Sequence, residues 1–301
     1  SEALSEPYHA TVSLATSELG IDASELLGER ATIELERGSL MRRFHGVIDE
    51  VTTGDEATSN GHGRACTVRV VPAVALFGHG RDSRIFQGKT VPEIIEAVLA
   101  PLSDYDATFE VKKSRTYPAC EYRTQYGESD LDFVHRLMGE EGLFYFFDHE
   151  GNTEHLVVGD SESVYGALES ADGDLLTFAS AEAAHVAEGV TSFARYEATR
   201  PSKITLRHFD WTRPDVPLEG ASPKPASTAP LGARIGALRE VYEHDAHPIT
   251  MHSYSAGSLG FQADDHADQL KLRRQVHEQT AASFSGGGTE KERSEEHTSE
   301  L

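Results

Sequence analysis

The sequence predicts a β-rich α+β fold, and three observations carry that prediction. From Tyr8 to about Leu76, apolar and polar residues alternate in short runs separated by Gly, Asp, Ser and Asn clusters, the period-two pattern of strands with one buried face. Between Ile85 and Asp160 the period lengthens in two places to that of amphipathic helices, with short strands around them. Beyond that unit, "SKITLRHFDWTRP" and "LREVYEHDAHP" return to alternation. The outline is an α+β unit inserted between β-rich parts.

Taken in order, "HATVSLA", "ATIELER", "RRFHGVIDEVTT" and "ACTVRVVPAVALF" read as strands, and their closely spaced turns suggest a small antiparallel barrel or sandwich. In "KTVPEIIEAVLAPL", Val91, Ile94, Ile95, Val98 and Leu99 lie at i, i+3, i+4, i+7 and i+8, which predicts a helix from Val91 to about Ala100. Thr90 and Glu93 form a capping box, and Pro92 is tolerated in the first turn. The strand "ATFEVKK" follows. In "YRTQYGESDLDFVHRLMGEEGLFYFF", Ser129 begins a second capping box with Asp132, and Leu131, Val134, Leu137 and Met138 form the buried stripe. Gly142 ends that helix as a left-handed residue. Leu143 to Phe147 is a short strand, "DHEGN" its turn, and "EHLVVGD" the antiparallel return.

The segment from Asp172 to Thr199 has no decisive period. "SKITLRHFDWTRP" reads as an exposed-edge or barrel strand, whereas the X-Pro steps of "PDVPLEGASPKPASTAPLGA" argue against strand or helix. "GFQADDHADQLKLRRQVHEQTAASFSG" reads as a helix with a strand after it.

At 301 residues the chain is long enough for two or three domains with cores of their own. Its 27 Lys and Arg against 50 Asp and Glu give a formal charge of −23. Such a charge repels phosphate backbones and anionic lipids, so neither nucleic acid nor a membrane is an expected partner. Cys66 and Cys120 lie far apart and outside any metal-ligand spacing, and are read as small buried hydrophobes. No apolar run approaches the ~20 residues of a bilayer span, and no signal-peptide pattern opens the chain. Ser1 stands where Met would, and strand rhythm begins almost at once, so the start is expected to be cut. The final "RSEEHTSEL" is what AGATCGGAAGAGCACACGTCTGAACTC encodes, a string resembling a common short-read sequencing adapter. Arg293 to Leu301 are therefore expected to be translated adapter, with the gene truncated near Glu292.

The 15 histidines invite a search for chemistry, but HExxH, GxSxG, Walker A and GxGxxG patterns are missing from the sequence. In "EHDAHP", His244 and His247 with Asp245 or Glu243 have metal-ligand chemistry, yet a strand there sends the two imidazoles to different faces. "DDHADQ", Asp264 to Gln269, lacks the Gly and the terminal Glu of a calcium loop and reads as a helix start. Glu128, Asp130 and Asp132 sit where a helix N-terminus favours negative charge. Asp132 and His135 share a helical face as a dyad without a neighbouring Ser or Cys nucleophile. The residues thus give no catalytic, cofactor-binding or metal site, and an enzyme is not expected.

The order of the phrases "RRFHGVIDEV", "SRIFQGKTVPEIIEAVL", "YPACEYRTQYGESDLDFVHRLMGEEGLFYFFDHEGNTEHLVVGD", "RHFDWTRP" and "REVYEHDAHP" resembles the N-terminal portion of the VgrG family, the spike proteins of type VI secretion, over about Tyr8 to Ser285. The resemblance implies a fold like that of contractile phage tail hubs. Two β-barrel tube domains, residues 1–82 and 163–292 with the second incomplete, would flank an inserted α+β domain at 83–162. It implies a homotrimer whose tube domains form a pseudo-sixfold ring on a hexameric inner-tube protein. Effectors and a tip-sharpening protein would join through the missing C-terminal part. Assembly in the cytoplasm and then secretion into a target cell or the medium follow from the same resemblance, whereas no cofactor is expected because no cofactor-binding motif is present. The alternatives are the hub of a contractile prophage tail or tailocin, and a carrier of an enzymatic effector domain. The sequence departs from the family in "EVYEHDAHP", where relatives often carry a glycine after "EVYDYP", and in the Pro- and Ala-rich stretch from Pro214 to Pro230.

Overall fold

The computed structural model describes residues 2–16, 23–37, 40–58, 61–165, 190–198, 203–208, 218–221, 240–244, 263–279 and 282–288, with single residues at 178, 201 and 215. The expectations for Arg293 to Leu301, His247, Asp245 and most of Pro214 to Pro230 lie outside them.

The first region is one antiparallel sheet of β1 (Ala10–Thr16), β2 (Arg30–Arg37), β3 (Leu40–Thr58) and β4 (Gly61–Val71), in the order β1-β4-β3-β2. A helical turn, α1 (Ala23–Leu26), joins β1 to β2. No ladder joins β1 to β2 among the described residues, so the sheet is open there. β3 bends where its register shifts between Ile48 and Glu50; the extra residue, Asp49, takes the Arg69 guanidinium of β4 at 2.9 and 2.7 Å. Gly46 lies against the end of β4, where a Cβ would overlap the Val71 carbonyl oxygen.

The apolar alternation of "ACTVRVVPAVALF" does not continue as strand. β4 ends at Val71, because Pro72 has no N–H for the ladder, and Ala73–Gly78 forms a 3-10 helix.

β5 (Asp82–Lys89) pairs antiparallel with β7 (Cys120–Glu128). Between them run α2 (Val91–Leu99), a 3-10 turn at Ala100–Tyr105, and β6 (Thr108–Lys112). The α2 cap has both halves of the box: Thr90 Oγ1 accepts from the Glu93 N–H at 3.4 Å, and Glu93 Oε2 accepts from the Thr90 N–H at 2.8 Å. All five residues of its predicted stripe are buried.

α3 spans Asp130–Glu141. Its cap is half of the expected box: Ser129 Oγ accepts from the Asp132 N–H at 3.0 Å, while the Asp132 carboxylate takes the Ser129 hydroxyl at 2.7 Å. Asp is one methylene shorter than the Glu of the full motif. The buried face is Phe133, Val134, Leu137 and Met138, with Leu131 only partly covered. Gly142 is left-handed at φ 67°. β8 (Phe144–Asp148) and β9 (His155–Gly159) run antiparallel, and β9 also pairs with β6 in parallel, so β9 is central.

One apolar core runs from Tyr8, Val47 and Val74 through α2 and α3 to Tyr145 and Val158, and so crosses from the first sheet into the α+β part. A smaller one, of Ile48, Cys66, Val68 and Val70, lies within the first sheet.

In the later region, β10 (Val190–Glu197) pairs with β14 (Ala282–Gly288). β11 (Lys203–His208) lies between β12 (Leu218–Ala221) and β13 (Glu240–His244), the latter parallel to it. β11 is therefore central rather than an exposed edge, and Ile204, Thr205 and Leu206 are all buried. β12 is a strand inside the stretch read as irregular: its residues pair with Thr205–His208, a partner local periodicity does not reveal. α4 is Ala263–Gln279.

Candidate functional site

The β5–β7 ribbon presents two chemically different faces, as alternation dictates. Inward, Phe86 stacks on Phe133 of α3 with centroids 5.7 Å apart, beside fully buried Gln125 and nearly buried Arg123. Outward, the register sets Ser83 opposite Tyr126, Ile85 opposite Thr124 and Gln87 opposite Tyr122. These three pairs carry no charge, and their large residues are open to solvent: Ile85 at 66%, Tyr122 at 61% and Tyr126 at 82% exposure. Phe193, Tyr196 and Phe284 are also exposed on the β10–β14 ribbon, with the two Phe rings stacked at 5.5 Å. Exposed apolar clusters of this kind mark assembly surfaces more often than catalytic ones.

Behind the β5–β7 ribbon, two of the three carboxylates flagged in sequence, Glu128 and Asp130, are held by cations. Arg136 of α3 reaches Glu128 at 2.9 and 3.0 Å, Glu140 at 3.1 Å and the Thr124 carbonyl at 3.0 Å. Its guanidinium lies 5.2 Å from the Phe133 ring centroid. Arg84 pairs with Asp130, which also accepts from Gln125 Nε2 at 2.8 Å. Arg123 meets Glu140 at 3.1 Å with both side chains nearly buried. Of the three carboxylates, only Asp132 serves the cap; Glu128 and Asp130 bind arginines whose positions depend on tertiary pairing.

His135 Nε2 lies 3.0 Å from the Tyr145 hydroxyl, with the two rings stacked 5.6 Å apart. Burial pushes the imidazole below its ordinary pKa, against the opposing pull of Asp132 and Glu6, which favours the neutral ring. The Asp132 carboxylate is occupied by Ser129, so Asp132 and His135 are neighbours in charge without forming the hydrogen-bonded dyad considered above. His244 ends β13 exposed, and Glu243 beside it is partly buried. Asp264 to Gln269 lie in the first turns of α4. Among the described residues, no cluster of three or more His, Cys, Asp or Glu is arranged to hold a metal ion. Cys66 and Cys120 are buried free thiols, and burial raises the Cys120 pKa.

The sequence reading missed Glu154. It is buried, both its carboxylate oxygens accept from the Ala73 N–H at 3.0 and 2.9 Å, and burial raises its pKa to about 7. Tyr8 packs in the same region, edge-on to Phe147 at 4.7 Å, and its hydroxyl donates to the His45 carbonyl. Nothing in "GNTEHL" signals this burial; it follows from Pro72 placing an open 3-10 N-terminus beside β9.

The sequence model for the phage tail baseplate hub family (GPD) matches residues 1–298. The chain is 36% identical over 170 residues to the type VI secretion system spike protein VgrG1b of Pseudomonas aeruginosa, covering 56% of this chain and 22% of that one. It is 30% identical over 230 residues to VgrG4b of the same organism, covering 76% of this chain and 27% of that protein. It is 34% identical over 162 residues to the actin cross-linking toxin VgrG1 of Vibrio cholerae, covering 54% of this chain and 14% of the toxin. The chain thus spans about a quarter or less of the length of these relatives. Among solved structures, the c3393 protein of E. coli, a type VI secretion component, aligns with a TM-score of 0.51 at 28% identity over 66% of this chain and 51% of that one. A tail protein of Neisseria meningitidis aligns with a TM-score of 0.56 over 94% of this chain and 72% of that one; at 13% identity it bears on the fold alone.

Proposed function

The chain is a VgrG-like member of the phage tail baseplate hub family, and from that premise we propose that it is the hub portion of a type VI secretion spike, acting mechanically rather than catalytically. The observation that carries this reading is the hub-family match over residues 1–298, joined to 30–36% identity with named spike proteins. In this reading, residues 1–82 and 163–292 are tube domains and 83–162 is the inserted domain. Three copies form a ring that adapts a threefold spike to the hexameric inner tube. The outward Ile85, Tyr122 and Tyr126 of β5–β7 and the exposed aromatics of β10–β14 supply apolar contact area of the kind such a ring needs. The spike assembles in the cytoplasm and leaves with the tube when the sheath contracts, carrying effectors on parts of the protein beyond the matched segment.

Deleting this coding segment from its parent gene and following release of the inner-tube protein into the medium tests the proposal. Release should stop; release at the normal level would refute it.

The likeness in fold to the Neisseria tail protein supports a second reading, the hub of a contractile prophage tail or tailocin. Neighbouring genes for sheath, tube and an unfoldase ATPase favour secretion, whereas capsid and terminase genes favour the phage. The Vibrio toxin's name supports a third reading, in which the parent also carries an enzymatic domain.

A further inference from the structure

The end of α3 is shaped to receive another helix. Gly142 is needed there for its backbone, since φ 67° is left-handed. A Cβ there would also meet Leu272 Cδ2 of α4, with Leu272 Cγ at 3.5 Å, so the leucine would have to turn aside. Gln269, one helical turn before Leu272, donates from Nε2 to the Glu140 carbonyl at 3.1 Å. That carbonyl belongs to the last turn of α3, where helices leave C=O groups without an internal partner. Arg273 adjoins Leu272 in sequence and lies on the same face as Gln269; burial lowers its pKa, while the Glu243 carboxylate of β13 and the Glu140 carboxylate of α3 both favour its cation. Elsewhere on its surface α4 packs against β11, β12 and β14.

We infer that Gly142 and the last turn of α3 form a socket for α4, with Leu272 seated on the glycine and Gln269 completing the α3 end, so that α4 fastens the later strands to the central α+β part. Removing the seat should free α4 while leaving α2 and β8 in place. This inference goes beyond the hub reading and stands or falls independently of it.

A double-mutant cycle of Gly142→Ala and Leu272→Ala on the whole chain, read by hydrogen exchange of the α4 amides, tests the socket. The left-handed strain that Gly142→Ala introduces is the same whether or not Leu272 is present, and therefore cancels in the cycle. In the double variant the new methyl enters space the leucine has vacated. The product of the two single-variant accelerations should therefore exceed the double-variant acceleration by about threefold or more. Gln269→Ala, which removes only one hydrogen bond, should speed α4 exchange about two- to tenfold without changing exchange at Ile94 and Ile95. Single-variant factors that simply multiply, α4 protection unchanged in Leu272→Ala, or exchange in α2 rising together with α4 in Gln269→Ala would each overturn the inference.

Discussion

Replacing Glu154 by Gln should flatten part of the dependence of stability on pH. The carboxyl ties the 3-10 turn after β4 to the β6–β9 pair: its oxygens hold the Ala73 N–H, and its backbone carbonyl accepts from the Thr108 N–H at 2.9 Å. Burial raises its pKa from 4.5 to about 7, and the Ala73 hydrogen bond only partly opposes that rise. The folded protein then binds this proton more tightly than the unfolded chain. The stability that protonation confers is present at low pH and is lost as pH rises through about 7. At 1.36 kcal/mol per pKa unit the full span is about 3 kcal/mol, of which roughly 2.5 kcal/mol falls between pH 5 and 8. At ~2–4 °C per kcal/mol that is a wild-type Tm difference of roughly 5–10 °C from this group alone. Gln keeps an oxygen for Ala73 and does not titrate, so its Tm difference across the range should be smaller by that amount. Calorimetric melts of both proteins at pH 5, 6, 7 and 8 make the comparison. Parallel curves would refute the reasoning.

Two further substitutions test the packing account. Leu137→Ala empties a fully buried site in the α3 face and should cost about 2–5 kcal/mol in chemical denaturation, so a variant as stable as wild type would place α3 wrongly. Gly46→Ala sets a methyl against the Val71 carbonyl, backbone that cannot swing aside, and should destabilise by at least about 1–3 kcal/mol; unchanged melting would refute the β3–β4 approach.

What the sequence disclosed and what it hid divide along a physical line. α2 was legible because Thr90, Glu93 and the Val91-to-Leu99 stripe all report contacts within one turn or two. The left-handed end of α3 was legible from Gly142 for the same reason. Phe133 shares the helical face of Leu137, four residues on, so the local period reaches it as well as its contact with Phe86 of β5. Glu128 and Asp130, by contrast, looked like dipole partners because their arginines meet them only in the folded packing. The parallel pairings of β6 with β9 and of β11 with β13 join residues far apart in sequence, which no local period encodes. β12 was hidden among prolines because its ladder partner, β11, is what makes it a strand. The candidate site was least legible: an outward face is recognised only once the inward one is known, and the exposure of Tyr122 and Tyr126 depends on α3 covering the opposite side.

The proposed hub role requires three copies of this chain to assemble as a ring. Light scattering on the purified chain, coupled to size exclusion and repeated over a range of concentrations, measures this directly. The expected mass is about three times the 32.8 kDa of one chain. A mass of one chain at every concentration would contradict it.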